Sequence, residues 1–313
     1  MVNTFNNHID AAKKIPIPKM LFAEFWGEKE LCILFAKSGI GKSALAVQIA
    51  NSISKGVPIA GFAMDAGKQT VLYCDFELNV KQLEKRYSNN YKDHYIFDDN
   101  LLRVTLSSTA ILPKKKIYEE YVIKSLEEII VKKKSTVVVL DNITYITNTL
   151  SSIAAGRLLD KLKKLKEKYA LSILVLAHTT KNHNKPLTLN DIYGSSMIGN
   201  FIDSSFAIGV SAEDSSIRYI KQLKSRNTKE FYGDNNVCVC EITQQTNFLK
   251  FEFVDFGKEE DYLEKSKGKI DESELIEHVL QLHLQGMSLR DIASDLDINH
   301  MKVNRIIIKN VDL

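Results

Sequence analysis

The feature that most constrains this chain is residues 31–50, LCILFAKSGIGKSALAVQIA. A short apolar run leads into a loop with two glycines, and an amphipathic helical pattern begins directly after the loop. Glycine backbone bends easily around an anion, and the free N–H groups and positive dipole end of a helix N-terminus attract phosphate oxygens. The segment therefore predicts a buried strand, a phosphate-binding loop and a helix, in that order.

One continuous run of residues is expected to contact a bound nucleotide: Lys37, Ser38, Gly39, Ile40, Gly41, Lys42, Ser43 and Ala44. Lys42 would reach the β- and γ-phosphates, and the Ser43 hydroxyl would bind Mg²⁺. Ala36 stands where such loops usually carry their first glycine, so this position is expected to lack freedom at positive φ. A Gly-Lys-Ser tripeptide also arises by chance, but the strand before it and the helix after it favour binding of ATP with Mg²⁺.

Short apolar runs and longer helical patterns alternate along the first half of the chain. The predicted strands are residues 31–35, 70–74, 101–106, 136–140 and 171–177, and the predicted helices are 43–54, 80–91, 117–132 and 152–169. Runs that are apolar throughout indicate strands buried on both faces, as in a parallel sheet. Four later runs, 206–210, 217–223, 237–242 and 248–254, have no long helix between them and predict antiparallel hairpins that extend the sheet.

Acidic residues follow two of the predicted strands. Asp141 ends TVVVLD, where a carboxylate can hold a Mg²⁺-bound water, although an aspartate there also serves as a turn or helix N-cap residue. Asp75 and Glu77 end VLYCDFE on one face of the strand, and Glu77 is better placed to polarise a water that attacks the γ-phosphate. The alternative is that this pair caps the helix that starts near Asn79.

Polar residues also follow the strand ILVLA. His178 could contact the γ-phosphate, although a single histidine is more often structural. The loop at residues 181–190 carries Lys181 and Lys185, which could contact a nucleic-acid backbone or belong to an ordinary polar loop. Lys224 and Arg226 alternate onto one face of a strand end, where they could reach the ATP of a neighbouring subunit or simply protect a strand edge.

These segments together resemble the RecA-like P-loop ATPases, especially the RepA type of hexameric plasmid helicase and the AAA-family ATPases of mobile elements. The resemblance covers roughly residues 20–255 and rests on AKSGIGKSALAVQIA, VLYCDFE, VVVLDN, VLAHTTK, DIYGSSMIGNFIDSSFAI and KQLKSRN, in the family's order. It implies Glu77 as catalytic base, Asp141 as Walker B acid, His178 as γ-phosphate sensor, and Lys224 with Arg226 acting on the adjacent protomer. The resemblance, and not the sequence by itself, implies a homo-hexamer.

The C-terminal segment GMSLRDIASDLDINHMKVNRIIIK predicts a second, all-α module. Its spacing of apolar residues indicates a helix opened by Ser288, a short turn and a second helix, with 272–284 as a supporting helix, which looks like a helix-turn-helix. Lys302 and Arg305 on the second helix would contact DNA. However, residues 271–313 carry a net charge of −4 while residues 1–270 carry +7, so docking to a protein partner is the alternative.

The 313 residues are accordingly divided into an ATPase domain at 1–256, a charged linker or solvated helix at 257–270 and a helix-turn-helix module at 271–313. A content of 44% hydrophobic and 26% charged residues fits a packed globular protein, and the net charge of +3 does not itself indicate a nucleic-acid surface. The four cysteines lie in apolar runs without metal-ligand spacing and are expected to be reduced core thiols. With no apolar leader or membrane-spanning run, we expect no membrane partner and a cytoplasmic protein.

The sequence thus predicts an ATP-hydrolysing motor that acts as a ring on single-stranded DNA. A nucleotide-gated DNA-binding regulator that does not unwind DNA is the competing hypothesis. A small-molecule kinase is disfavoured, since no segment looks like an acceptor site or lid.

Overall fold

A nine-stranded sheet forms the centre of the protein in the computed structural model, which describes residues 2–105, 115–146, 152–179, 185–192, 195–264, 272–296 and 298–311. Its strands are β1 Leu31–Ala36, β2 Val71–Asp75, β3 Leu101–Val104, β4 Val137–Asp141, β5 Ser172–His178, β6 Ser204–Val210, β7 Ile217–Ser225, β8 Val237–Thr243 and β9 Lys250–Gly257. Two small two-stranded sheets pair Met20–Phe22 with Trp26–Gly27, and Ser88–Asn89 with Asp93–His94.

The strand order is β9-β8-β7-β6-β1-β5-β4-β2-β3. The six strands from β6 to β3 in this order run parallel, whereas β7, β8 and β9 add antiparallel hairpins beyond β6. This confirms the predicted mixed α/β architecture with a large, mostly parallel sheet, which fits a P-loop nucleotide-hydrolase core. Because β1, β2, β4 and β5 are parallel, their carboxyl ends meet at one edge of the sheet.

Helices cover both faces of the sheet. The helices of this part are α1 Phe5–Ala12, α2 Lys42–Lys55, α3 Val80–Arg86, α4 Lys115–Lys133, α5 Ser152–Tyr169 and α6 Ser195–Phe201. α2 packs into the apolar cluster on one face, and α4 and α5 pack into the cluster on the other. Short 3₁₀ turns lie at Ile143–Tyr145, Leu189–Asp191 and Glu259–Tyr262.

Two predicted elements end earlier in the structure than the sequence pattern predicts. α3 stops at Arg86, five residues before the predicted end, because Asn90 and Tyr91 take positive φ in the small hairpin that follows. The predicted strand at 101–106 runs only from Leu101 to Val104, and Leu106 lies outside the described residues.

Three further helices form the C-terminal part: α7 Glu272–Leu284, α8 Leu289–Asp295 and α9 His300–Val311. Ser288 caps α8 by accepting the Asp291 N–H, as its position before the apolar pattern suggested. These helices enclose a small apolar cluster of their own, which includes Val279, Ile292 and Val303.

The charged segment after β9, which was predicted as a linker, begins with buried residues that pack against the sheet domain. Glu259 and Tyr262 are almost fully buried, and Glu259 forms an ion pair of 2.5 Å with the equally buried Lys221 of β7. The buried cation provides the partner that a buried carboxylate requires. The packed body therefore extends past residue 256, and residues 265–270 of the predicted linker lie outside the described part of the chain.

All four cysteines are buried free thiols, as predicted. None of the helices that the structure describes is long and apolar enough to cross a membrane.

Candidate active site

The phosphate-binding loop connects β1 to α2 and uses two glycines for different reasons. Gly39 and Gly41 have φ of +81° and +107°, values that residues with a Cβ rarely adopt. A Cβ on Gly41 would also lie 2.8 Å from Cζ of Phe251, whereas one on Gly39 would meet no atom within 4 Å. Ala36 is the last residue of β1 and its φ is not positive. The alanine therefore adopts its backbone conformation without the freedom that a glycine would provide.

Lys42 is buried at the first turn of α2, beside this loop. Its Nζ donates to the carbonyl oxygens of Ala36 at 3.0 Å and Lys37 at 3.2 Å, and it lies 3.2 Å from Nδ1 of His178. Burial lowers the pKa of Lys42 to about 8, against the opposing charges of Asp141 and Glu77. The sheet thus brings Lys42 and His178, separated by 136 positions, into contact.

Ser43 and Asp141 meet on the adjacent side of the loop. The Asp141 carboxyl accepts hydrogen bonds from the hydroxyls of Ser43 and Tyr73, the latter at 2.8 Å. Burial raises the pKa of Asp141 to about 6, although these two hydrogen bonds oppose the shift. Asp141 does not cap the following 3₁₀ turn, since Asn142 occupies that N-cap position.

A hydroxyl and a carboxylate are the oxygen ligands that suit Mg²⁺, which keeps most of its coordination for water and phosphate. Among the described residues, no group of three or more His, Cys, Asp or Glu side chains could hold a metal ion by itself. The Ser43–Asp141 pair therefore fits a metal that arrives with a phosphate ligand better than a resident metal.

Asp75 and Glu77 have separate roles, and neither caps α3, which Asn79 caps. Asp75 accepts the N–H groups of Glu77 and Leu78 and forms a 2.8 Å ion pair with Arg103, so its two oxygens organise the turn after β2. Glu77 is instead directed at the carboxyl ends of β4 and β5.

Asn142, which the sequence analysis did not single out, joins Glu77 to His178. Its Nδ2 donates to Oε1 of Glu77 and lies 3.0 Å from Nε2 of His178. Burial and the charge of Lys42 lower the pKa of His178, so its ring is neutral at neutral pH. The position of Asn142 directly after Asp141 at a strand end was a usable signal.

A second missed residue, Arg218, reaches the loop from β7. It is buried, and its Nε donates to the carbonyl oxygen of Ile40 at 2.9 Å. No pattern near Arg218 in the sequence indicates this contact.

The predicted pair separates into a half-buried Lys224 and an exposed Arg226. Lys224 donates to the carbonyl oxygens of Gly199 and Ile202 at the end of α6, which satisfies helix-end acceptors. Arg226 lies 3.4 Å from Asp203 and keeps about half of its side chain exposed (47%).

The predicted DNA-contacting lysines of the loop after β5 are only partly described. Lys181 lies outside the described residues, and Lys185 is exposed. Two residues beyond Lys185, Leu187 is held by its backbone: its N–H donates to Glu259 and its carbonyl accepts from Lys221, both at 2.7 Å. The end of this loop is therefore attached to the buried ion pair.

Lys302 and Arg305 of α9 face the body of the protein. Lys302 lies 3.8 Å from Glu213, and Arg305 contacts the carboxylate of Asp214 and donates to Ser216 at 2.9 Å. Nearby, His300 lies 3.0 Å from Asp255 of β9. In this arrangement the two cations of α9 that were predicted to meet DNA are paired with carboxylates of the same chain.

Comparison with known proteins gives one family. A family described as AAA domain matches residues 4–184, which include the loop, Glu77, Asp141 and His178. No curated protein matches the chain.

Proposed function

The chain belongs to the AAA domain family, and on that premise we propose that it is an ATPase that hydrolyses ATP with Mg²⁺ through Lys42, Ser43, Glu77, Asp141 and His178. The observation that carries the proposal is the meeting of these five side chains at the carboxyl edge of the parallel sheet, beside a loop that leads directly into the N-terminus of α2.

Each of these residues would have a separate role in hydrolysis. Amides of residues 37–44 and Nζ of Lys42 would bind the phosphates, while Ser43 and, through water, Asp141 would hold Mg²⁺. When bound, Mg²⁺ supplies positive charge to the phosphate oxygens. Glu77 would accept a proton from the attacking water. As the water oxygen bonds to the γ-phosphorus, the bond from that phosphorus to the β,γ-bridging oxygen breaks, which yields ADP and phosphate.

We further propose that ATP hydrolysis drives a RepA-like ring on single-stranded DNA. Support comes from the exposed part of Arg226, which a neighbouring subunit's nucleotide could approach, and from the excess of basic residues in residues 1–270. The loop after β5, with Lys185 exposed, would be a DNA contact at the same edge of the sheet as the ATP site.

A second candidate is an ATP-gated DNA-binding regulator without unwinding activity. One specific observation favours it, the contact of Lys302 and Arg305 with the ATPase body. Through this contact, ATP binding could change the position of a helix-turn-helix module. The module would contact DNA only after this contact opens.

The deciding experiment measures ATP turnover, strand displacement and mass in solution, with and without single-stranded DNA. Lys42→Ala should abolish turnover and leave the fold intact, since the alanine removes the phosphate contact but no apolar packing. Lys124→Ala, an exposed lysine of α4, is the matched control and should keep wild-type turnover. Turnover by Lys42→Ala at the wild-type rate would exclude the ATP site proposed here, and ATP-dependent DNA binding without strand displacement would favour the regulator.

A further inference from the structure

Asn142 contacts both residues that would act on the γ-phosphate and its attacking water. It is 99% buried, and its single amide nitrogen faces Oε1 of Glu77 and, at 3.0 Å, Nε2 of His178. Glu77 and His178 themselves are farther apart, with 3.8 Å between Oε1 and Nε2. The amide is therefore the direct link between the two side chains.

The orientation of this amide is fixed from its other end. Oδ1 of Asn142 accepts the backbone N–H of Thr144 at 2.9 Å, and a backbone N–H can only donate. Oδ1 must consequently point to Thr144, and Nδ2 must point to Glu77 and His178. An ionised Glu77 requires the same orientation, because a carboxylate only accepts.

This orientation decides which nitrogen of His178 carries the proton. Two donors face the neutral ring, Nδ2 of Asn142 at Nε2 and Nζ of Lys42 at Nδ1, and the ring can accept from only one of them. Nδ2 is fixed by the contact of Oδ1 with Thr144, whereas Nζ already has two carbonyl acceptors, so Nε2 accepts from Asn142 and the ring proton lies on Nδ1. Nδ1 faces the phosphate-binding loop, where the Lys42 ammonium lies 3.2 Å away and can itself only donate. Nδ1–H of His178 and the Lys42 ammonium are therefore two donors directed at the same place.

We propose that Asn142 is a positioning residue that holds His178 as its Nδ1–H tautomer and orients Glu77 with the same amide group. Two donors directed at one place suit an anion there, and an oxygen of the γ-phosphate could accept from both Lys42 and His178. The inference rests on the proposed ATPase function for its substrate, but the tautomer is a property of the free protein.

The first test is the ring ¹⁵N spectrum of His178 in the wild-type protein without nucleotide at pH 7, identified by its loss in His178→Gln. A protonated Nδ1 and an unprotonated Nε2 are expected. A proton on Nε2 would overturn the proposal, and this measurement does not depend on any variant that replaces Asn142.

The second test uses Asn142→Asp, which keeps an acceptor for the Thr144 N–H but replaces the donor with an acceptor. The His178 proton should move to Nε2, and kcat for ATP should fall about 100-fold while affinity for a non-hydrolysable ATP analogue changes less than about threefold. The matched control is Asn235→Asp, which makes the same change at an exposed asparagine and should keep both the wild-type spectrum and kcat. Wild-type kcat in a folded Asn142→Asp protein would contradict the proposal.

The two proposals fail separately. If Lys42→Ala retains turnover, the ATP site is wrong whatever the tautomer of His178. If turnover depends on Lys42 while His178 carries its proton on Nε2, only the role of Asn142 is wrong.

Discussion

Arg218 donates a hydrogen bond from Nε to the carbonyl oxygen of Ile40, 2.9 Å away, and so connects an antiparallel strand to the phosphate-binding loop. The same guanidinium donates through Nη1 to the carbonyl oxygens of Ser215 and Ile217. Ile40 lies between the two glycines with positive φ. The hairpin extension of the sheet therefore supports the loop conformation from outside the parallel core.

Arg218→Met should weaken ATP binding because it removes the charged donor that holds the Ile40 carbonyl. A hydrogen bond to a charged group contributes about 1.5 to 3 kcal/mol, so the dissociation constant for an ATP analogue should rise at least about tenfold. Isothermal titration calorimetry measures this change. Arg157→Met, on the exposed side of α5, is the control with the same chemical change and should leave the dissociation constant unaltered.

Alanine substitutions at the two glycines of the loop should lower the free energy of unfolding by different amounts. Gly39→Ala costs about 1 kcal/mol of backbone strain, since its Cβ meets no neighbour. Gly41→Ala should cost clearly more, because its Cβ would lie 2.8 Å from Phe251 and 2.9 Å from Ile242. Urea unfolding of both variants compares these costs, and equal values would show that the contact with Phe251 and Ile242 does not constrain the loop.

If Arg226 acts on the ATP of a neighbouring subunit, two inactive variants should complement each other. Arg226→Ala has an intact loop and lacks the cation, while Lys42→Ala has the cation and lacks the loop lysine. In mixed assemblies some interfaces combine the intact loop of one protomer with the intact Arg226 of another, so turnover should reappear. Mixing at several ratios, followed by a phosphate-release assay, measures it. Full turnover by Arg226→Ala alone would remove this residue from the mechanism.

The contact between α9 and the body should compete with DNA. Asp214→Asn removes the carboxylate that faces Arg305, and partly exposed ion pairs contribute up to about 1 kcal/mol, so DNA affinity of the full chain should rise by up to about fivefold. Fluorescence anisotropy with labelled DNA detects this change. Asp160→Asn, which breaks an exposed pair with Lys164 on α5, should have no effect. If the affinity does not rise when Asp214 is replaced, the module does not use Arg305 for DNA.

Most of the candidate site could be predicted from local patterns. Lys42 and Ser43 follow a glycine loop, and Glu77, Asp141 and His178 follow runs that are apolar throughout. Such runs indicate parallel strands, and parallel strands bring their carboxyl ends to one edge. The sequence therefore predicted which side chains would meet without giving any distance between them.

Tertiary structure decided the contacts that no local pattern encodes. Arg218 meets Ile40, Glu259 meets Lys221, and Arg305 meets Asp214 because hairpins and helices distant in the chain pack at particular registers. The same packing gives Asn142 its two partners and turns Lys224 inward to the end of α6. Periodicity reports whether a face is buried, whereas the partner of a buried polar group depends on which other segment arrives there.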